Sequence, residues 1–283
     1  MDTVFISKIR GQFHRSLLEA ILWRNSNGTP SNADKDSLAS VKIANAILDQ
    51  MAFGAAQDRL AGQTSGNQFE RIVAEFVRET FPLLTTVRPG PWIVEHVVGN
   101  RMLISRFEQY AHLTALDKVA RENPVVATAL GADYLIKPDV IVYREPLPDE
   151  RINSGLLQVD ESSARLTPLR QANHLKPLLH ASISCKWTLR SDRAQNARSE
   201  GLNLMKNRKG ALPHVVVVTG EPLPARIASL ALGTGEIDSV YHFALPELIA
   251  ATADMPESAE MVKIMVDGKR LKDISDLPFD LAI

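Results

Sequence analysis

The sequence holds one cysteine, Cys185, which leaves no partner for an intrachain disulfide and no set of thiolates for a zinc site. A reducing interior suits such a chain. Long apolar runs are missing as well: Val215 to Val218, the longest strongly apolar stretch, falls far short of the roughly 20 residues that span a bilayer. Met1-Asp2-Thr3-Val4-Phe5 has neither the basic region nor the apolar run of a signal peptide, so the expectation is a cytoplasmic protein with no membrane attachment. No Gly-x-x-x-x-Gly-Lys-Ser/Thr loop occurs, and Gly233-Thr234-Gly235-Glu236 lacks the third glycine and the strand-to-helix setting of a dinucleotide site. An ATP motor and a nicotinamide enzyme are therefore disfavoured. Positive charge is not in excess either: the net charge is -1 at pH 7, which argues against a protein that coats nucleic acid by bulk charge. Internal repeats and low-complexity tracts are absent.

What is present is material for a core and a clear alternation of elements. Hydrophobic residues make up 45% of 283 residues, ample for one large domain or two small ones. Helices are expected over Lys8 to Trp23, ending at the polar turn Asn25-Ser26-Asn27-Gly28-Thr29-Pro30, and over Val41 to Met51. After a loop at 60–66, Asn67-Gln68-Phe69-Glu70 reads as a capping box opening a helix to about Thr80, with Phe69, Ile72, Val73, Phe76 and Val77 on its buried face. A long helix is expected over Phe107 to Glu122, broken by Asn123-Pro124 before a shorter one toward Leu130. Strands follow at Tyr134 to Tyr143, Leu178 to Trp187, His214 to Thr219 and Val240 to Phe243, with helices between the later ones. Such alternation predicts an α/β fold with a mixed central β-sheet flanked by helices. Glu145 to Pro177 has weak periodicity and four prolines, and reads as an irregular excursion within a single domain spanning residues 1–283.

The residues that carry chemistry sit on two of these strands. Side chains alternate faces, so Ser182, Ser184 and Lys186 share one face of their strand while Ile183, Cys185 and Trp187 share the other. For a lone lysine a half-exposed sheet face is the favoured reading. Asp139, in Lys137-Pro138-Asp139 ahead of the apolar Val140-Ile141-Val142, is harder to explain that way, because carboxylates are rarely buried without a partner or a metal. Asp139 with Lys186, and Glu200 on the following helix, form the layout of a metal-dependent phosphodiesterase: carboxylates to hold magnesium, and a lysine facing the attacking water or the phosphate. Glu70 is a further acidic candidate, although as the last residue of the capping box it has a purely local role open to it. Glu200 can equally be a surface residue of its helix. His174 and His180 lack any metal-ligand spacing, and no His and carboxylate stand at recognisable positions to activate Ser184 as a nucleophile.

From Lys186 to Lys209 there are seven basic residues against Asp192 and Glu200. Within this run Arg190, Asp192 and Arg193 open a helix. Arginine grips guanine O6 and N7 with two hydrogen bonds and aspartate accepts from the cytosine amino group, so the cluster suits adjacent G·C pairs in a major groove. A helix cap by Ser191 or Asp192 with an intrahelical ion pair is the alternative.

Taken together these segments resemble type II restriction endonucleases of the PD-(D/E)xK superfamily, in the branch that reads CCGG. The resemblance runs through Gly62-Gln63-Thr64-Ser65-Gly66-Asn67, Gln109 to Leu116, Leu179 to Trp187, Arg198 to Leu204, Asn207-Arg208-Lys209-Gly210, Leu232 to Asp238 and Gly268 to Pro278, essentially the whole chain. It implies the restriction-endonuclease-like fold and a homo-oligomer, at least a dimer and by resemblance a tetramer, acting on double-stranded DNA. A cognate DNA methyltransferase is the expected partner enzyme. It also implies site roles. The acidic residue usual two positions before the lysine is replaced by Ser184, and Glu200 supplies the missing carboxylate from the helix. Asp139 and Glu200 would then hold magnesium, two ions per site, Lys186 would serve the attacking water, and Glu70 would complete the acidic cluster. Arg190, Asp192 and Arg193 correspond to the reader of the inner CCGG, Asp34 and Arg226 to the reader of an outer G·C pair, and Gln63 to a minor-groove contact. The implied site is GCCGGC. A non-catalytic DNA-binding protein and a repair-type nuclease of the same fold are the competing classes, separable by whether plasmid DNA with magnesium stays intact, gives discrete fragments, or is nicked and degraded.

Overall fold

Why Asp139 and Lys186 meet is decided by the sheet. In the computed structural model, which describes residues 4–51, 64–99, 103–130, 136–233 and 235–283, the chain runs through helices α1 (Phe5–Ala20), α2 (Leu38–Met51) and α3 (Thr64–Thr80), then strand β1 (Trp92–His96). Helices α4 (Leu113–Glu122) and α5 (Pro124–Leu130) precede β2 (Val140–Arg144), the short α6 (Asp149–Ile152) and β3 (Leu178–Lys186). Beyond these lie α7 (Ser191–Asn207), β4 (His214–Thr219), α8 (Pro224–Ala231), β5 (Ser239–His242), α9 (Leu245–Thr252), α10 (Pro256–Asp267), β6 (Leu271–Asp273) and α11 (Leu277–Asp280). Among the described residues the strands form one six-stranded sheet in the order β1-β2-β3-β4-β5-β6. β1, β2 and β3 pair antiparallel, and β3 to β6 pair parallel, so the sheet is mixed as expected.

The central position of β3 explains its composition. Ser182 and Ser184 are buried along with Ala181, Ile183 and Cys185, so the half-exposed reading of this strand does not hold. Both sheet faces are covered, and strands covered on both faces read as near-continuous apolar runs. One core cluster joins α1, α2, α3 and the C-terminal helices to the sheet through Phe13, Phe69, Phe76, Val140, Ile183, Val217 and Phe243. On the opposite face Phe107, Tyr110, Leu113, Ile141, Leu179 and Leu204 form a second cluster. The register shift in the β2·β3 pairing leaves His180 as the extra residue of a bulge, so Leu179 and Ala181 end up in different clusters. His180 accordingly has a structural role: its ring stacks on Phe81 at 5.5 Å and its Nε2 lies 2.7 Å from the Leu281 carbonyl.

Several boundaries differ from the sequence reading. α3 begins at Thr64, so Asn67 lies inside the helix and the capping box does not form. The expected long helix from Phe107 divides into a 3-10 turn at Glu108–Tyr110 and α4, because Gln109 turns inward to exchange hydrogen bonds with the backbone of Leu179. The strand expected from Tyr134 begins at Val140, its first residues lying outside the described ones. β1 and β6 are too short to show a pattern in the sequence. The 145–177 excursion is irregular apart from α6, and the buried Arg170 guanidinium pins it by two hydrogen bonds to Asp149.

Candidate active site

Pro138 cannot donate to a ladder and holds the residue before it extended, which brings the chain into β2 at Asp139. The Asp139 backbone carbonyl accepts from Val97 N–H at 2.9 Å. Its carboxylate then points across to the end of β3. Oδ2 accepts from Cys185 N–H at 2.7 Å and from Lys186 Nζ at 3.1 Å, with Ser184 Oγ at 3.5 Å. Burial disfavours the ammonium of Lys186, but Asp139 and Glu200 outweigh it and hold this lysine above its ordinary value, hence charged at neutral pH.

Glu200 arrives from α7. Gly201, the next residue, is required there: a Cβ would stand 2.3 Å from the Glu236 carbonyl oxygen, so only glycine lets α7 lie this close to the turn before β5. Burial, then the Asp139 charge, push the Glu200 carboxyl up to about 8, against the pull of Lys186 and of a hydrogen bond from Ser184. Its Oε1 is buried with no hydrogen-bond partner. Glu200 is therefore no surface residue. Glu70 comes from α3, which is set by the rings of Phe69 and Trp187 packing at 5.1 Å. That aromatic contact faces the core while the adjacent Glu70 and Lys186 face the cleft. Glu70 Oε2 lies 3.0 Å from His96 Nε2, and burial and Asp139 raise its carboxyl above the ordinary range.

These residues fit a hard divalent cation. Three carboxylates face one lysine, one oxygen is orphaned and buried, and two carboxyls are driven toward protonation, each of which a cation would relieve. Among the described residues no group of three acidic, imidazole or thiolate side chains stands close enough together to hold a metal ion by itself.

Four of the remaining candidates converge on one cleft. A cleft of about 680 Å³ is lined by Glu70 and Lys186 together with Asp34, Arg190, Arg193 and Arg226. Arg190 holds the residue position just before α7 and is exposed; having no acceptor it cannot cap the helix, and the helix starts too early for Asp192 to do so. Arg193 donates to Thr188 Oγ1 at 2.7 Å. Asp34 accepts from the Arg226 guanidinium, and Asp36 N–H followed by Arg226 hold its carboxylate below the usual range. Asp192 is on the first turn of α7, and Gln63 falls outside the described residues.

Sequence reasoning missed two members of this assembly. His96 sits on the unexpected β1. Glu221 follows β4 and is fully buried, and burial pushes its carboxyl up to about 7. An acidic residue in Thr219-Gly220-Glu221-Pro222, directly after a run of valines, is the one signal that could have pointed to it.

A mixed sheet with a carboxylate-and-lysine site at the ends of its inner strands β2 and β3, opening into a cleft lined with arginines, is the layout of a metal-assisted nuclease that acts on DNA. The family comparison agrees: the model of the NgoMIV restriction enzyme family matches residues 13–283, and the chain belongs to that family. It is 57% identical over 287 aligned positions, covering all of both chains, to the type II restriction enzyme NgoMIV of Neisseria gonorrhoeae. The chain is thus a site-specific restriction endonuclease with double-stranded DNA as substrate, and enzymes of this type generally use a divalent metal. Among the described residues no helix is long and apolar enough to cross a membrane.

Proposed function

We propose that this enzyme cleaves double-stranded DNA at GCCGGC after the first G, leaving 5′ overhangs that end in 5′-phosphate, with magnesium held by Asp139 and Glu200. The observation that carries this is the shared cleft, in which Glu70 and Lys186 of the nuclease site stand with Arg190, Arg193, Arg226 and Asp34. Magnesium, two ions per site, would supply the charge that stabilises the phosphorane-like transition state and activates water. The protein groups do the rest. Lys186, charged and tethered to Asp139, donates to the attacking water or the scissile phosphate, and Ser184 orients the two carboxylates between which it stands. Glu70, backed by His96, adds negative charge that favours cation binding.

Arg190, Asp192 and Arg193 read the inner CCGG when two subunits approach from opposite sides, Asp34 and Arg226 read the flanking G·C pair, and Gln63 reaches the minor groove. A palindrome read identically on both halves calls for a two-fold dimer, and we extend this to a tetramer acting on two sites. The 145–177 excursion is in keeping with the assembly: Leu156, Leu157, Leu166 and Leu175 are strongly exposed on it, apolar side chains available to a second copy of the chain. A cell containing such an activity needs its own GCCGGC sites protected, hence a DNA methyltransferase of matching specificity, with both enzymes cytoplasmic. Digestion of plasmid DNA in magnesium followed by sequencing of fragment ends tests the reading. Discrete ends at G/CCGGC are expected; an A·T pair within the four central positions would remove the α7 assignment, and a central CCGG with other flanks would remove only Asp34 and Arg226.

A further inference from the structure

The segments assigned to base reading are distant in sequence, yet all three are fastened to the dipeptide Gly220-Glu221. Glu221 Oε2 accepts from Leu189 N–H at 2.7 Å, immediately before Arg190, and Oε1 accepts from Leu223 N–H at 3.1 Å, at the entry to α8, whose third residue is Arg226. Arg226 Nη1 also stands 3.9 Å from Oε2. From the third side, Asn32 Nδ2 donates to the Gly220 carbonyl at 2.8 Å and so fixes the loop that carries Asp34. The dipeptide is itself anchored to the catalytic strand: Gly220 N–H and Thr219 Oγ1 both donate to the Lys186 carbonyl, at 3.1 and 2.8 Å. A Cβ at Gly220 would fall 2.4 Å from the Trp187 ring, so the close approach is built in.

Burying a carboxylate completely is costly unless it answers specific donors, and this one answers two backbone N–H groups belonging to different elements. We propose that Glu221 is a positioning residue for sequence discrimination: it sets the distance between the segment that reads the inner base pairs and the one that reads the outer pair. This rests on the reader assignment above. The α7 side has further support from the Arg193 contact with Thr188, and the far end of α8 is tied down by Arg198 and Arg270 donating to the Ser229 and Ala231 carbonyls; Arg226 lies at the other end, in the first turn, three residues beyond the Leu223 N–H that Glu221 holds and 3.9 Å from Glu221 itself. Loss of the carboxylate should therefore displace the outer reader first.

Glu221→Gln tests this, since it keeps the shape but turns an amide N–H₂ toward one of the two backbone donors. Cleavage in magnesium is measured on duplexes containing GCCGGC, ACCGGT and GCATGC, for the wild type, Glu221→Gln and Arg226→Ala. We expect Glu221→Gln to reduce the kcat/KM ratio of GCCGGC to ACCGGT at least tenfold, with single-turnover cleavage of saturating GCCGGC within threefold of wild type and GCATGC still refused. A merely structural role would lower the active fraction and slow every substrate alike, leaving the ratios unmoved, and that result overturns the proposal. If Arg226→Ala relaxes the outer pair and Glu221→Gln does not, the positioning role falls while the reader assignment stands; if Arg226→Ala also leaves the ratio intact, both fall. Should Glu221→Gln not accumulate in folded form, Asn32→Ala cuts the tie from the Asp34 side and is expected to relax the same outer pair; an unchanged ratio there overturns the proposal as well.

Discussion

The group assigned to cutting and the group assigned to reading are built on different electrostatic principles. At the cutting end, Asp139, Glu200 and Glu70 outnumber the single ammonium of Lys186, and both glutamates are driven toward protonation by burial and by each other's neighbour Asp139. In the part assigned to reading, Arg226 pairs with Asp34, whose carboxylate is held below the ordinary range, and Glu221, although burial raises its carboxyl to about 7, accepts from two backbone donors. The first part leaves a buried carboxylate oxygen of Glu200 without a partner, and the second gives Asp34 and Glu221 hydrogen-bond donors from the protein itself. The first arrangement creates an affinity for metal. The second holds side chains in a preset geometry, so that exchanging Asp34 and Arg226 from each other onto a C·G pair replaces one set of charge-assisted bonds by another.

The largest effect should come from breaking the cutting end. Asp139→Asn or Lys186→Ala is expected to reduce cleavage by several orders of magnitude while specific binding measured in calcium is largely retained, because neither side chain reads bases. Near-normal cleavage by either variant would dissolve the contrast between the two ends. Gly201→Ala should be nearly as damaging to activity without touching a charge, since the added methyl meets the Glu236 carbonyl and must push α7, and Glu200 with it, out of place.

Glu200 sharpens the contrast by separating activity from stability. Its carboxyl is raised from an ordinary 4.5 to about 8, so between those values the folded protein holds a proton that the unfolded chain releases. Stability of the metal-free protein therefore falls as pH rises through this window. Glu200→Gln removes that loss. The variant should be inactive, yet in EDTA its Tm should match wild type near pH 5 and exceed it by a widening margin toward pH 8.5. In wild type, magnesium should restore the Tm and release protons on binding at pH 7, measurable by calorimetry in buffers of different ionisation enthalpy. A Tm difference that does not change with pH would show that Glu200 is not strained by its neighbours.

How much of this was legible in the sequence follows the same division. β4 is readable from its run of four valines and β3 from nine residues in which apolar and small polar side chains alternate, and Asp139 and Lys186 stand out as charged groups beside them. Glu200 was visible only as a mid-helix glutamate; its burial depends on Gly201 and on the turn at 235–237, a contact between elements that no local pattern encodes. The capping box at Asn67 failed for a related reason. Its residues suit a helix start, but the helix continues back to Thr64, and Glu70 finds His96 on a strand too short to be foreseen. Glu221 was silent because its partners are backbone N–H groups, which every sequence supplies.

The smallest expected change is in the stability of the reading end. Arg226→Ala removes an ion pair that is partly open to solvent, a kind of contact that contributes little to folding because water screens it and the side chains lose freedom in making it. Its Tm should lie close to that of wild type. On the proposed reading the same substitution removes a bidentate contact to guanine, worth roughly 1–3 kcal/mol of discrimination, or about fivefold to 150-fold at one base pair. Sites of the form NCCGGN should then be bound or cut, with the preference for the central CCGG preserved. Arg190→Ala and Arg193→Ala should show the reverse pattern, relaxing an inner pair and leaving the outer one selective. A large Tm loss in Arg226→Ala, with discrimination unchanged, would mean that the pair with Asp34 serves the fold, and the reading end would then extend no further than the start of α7.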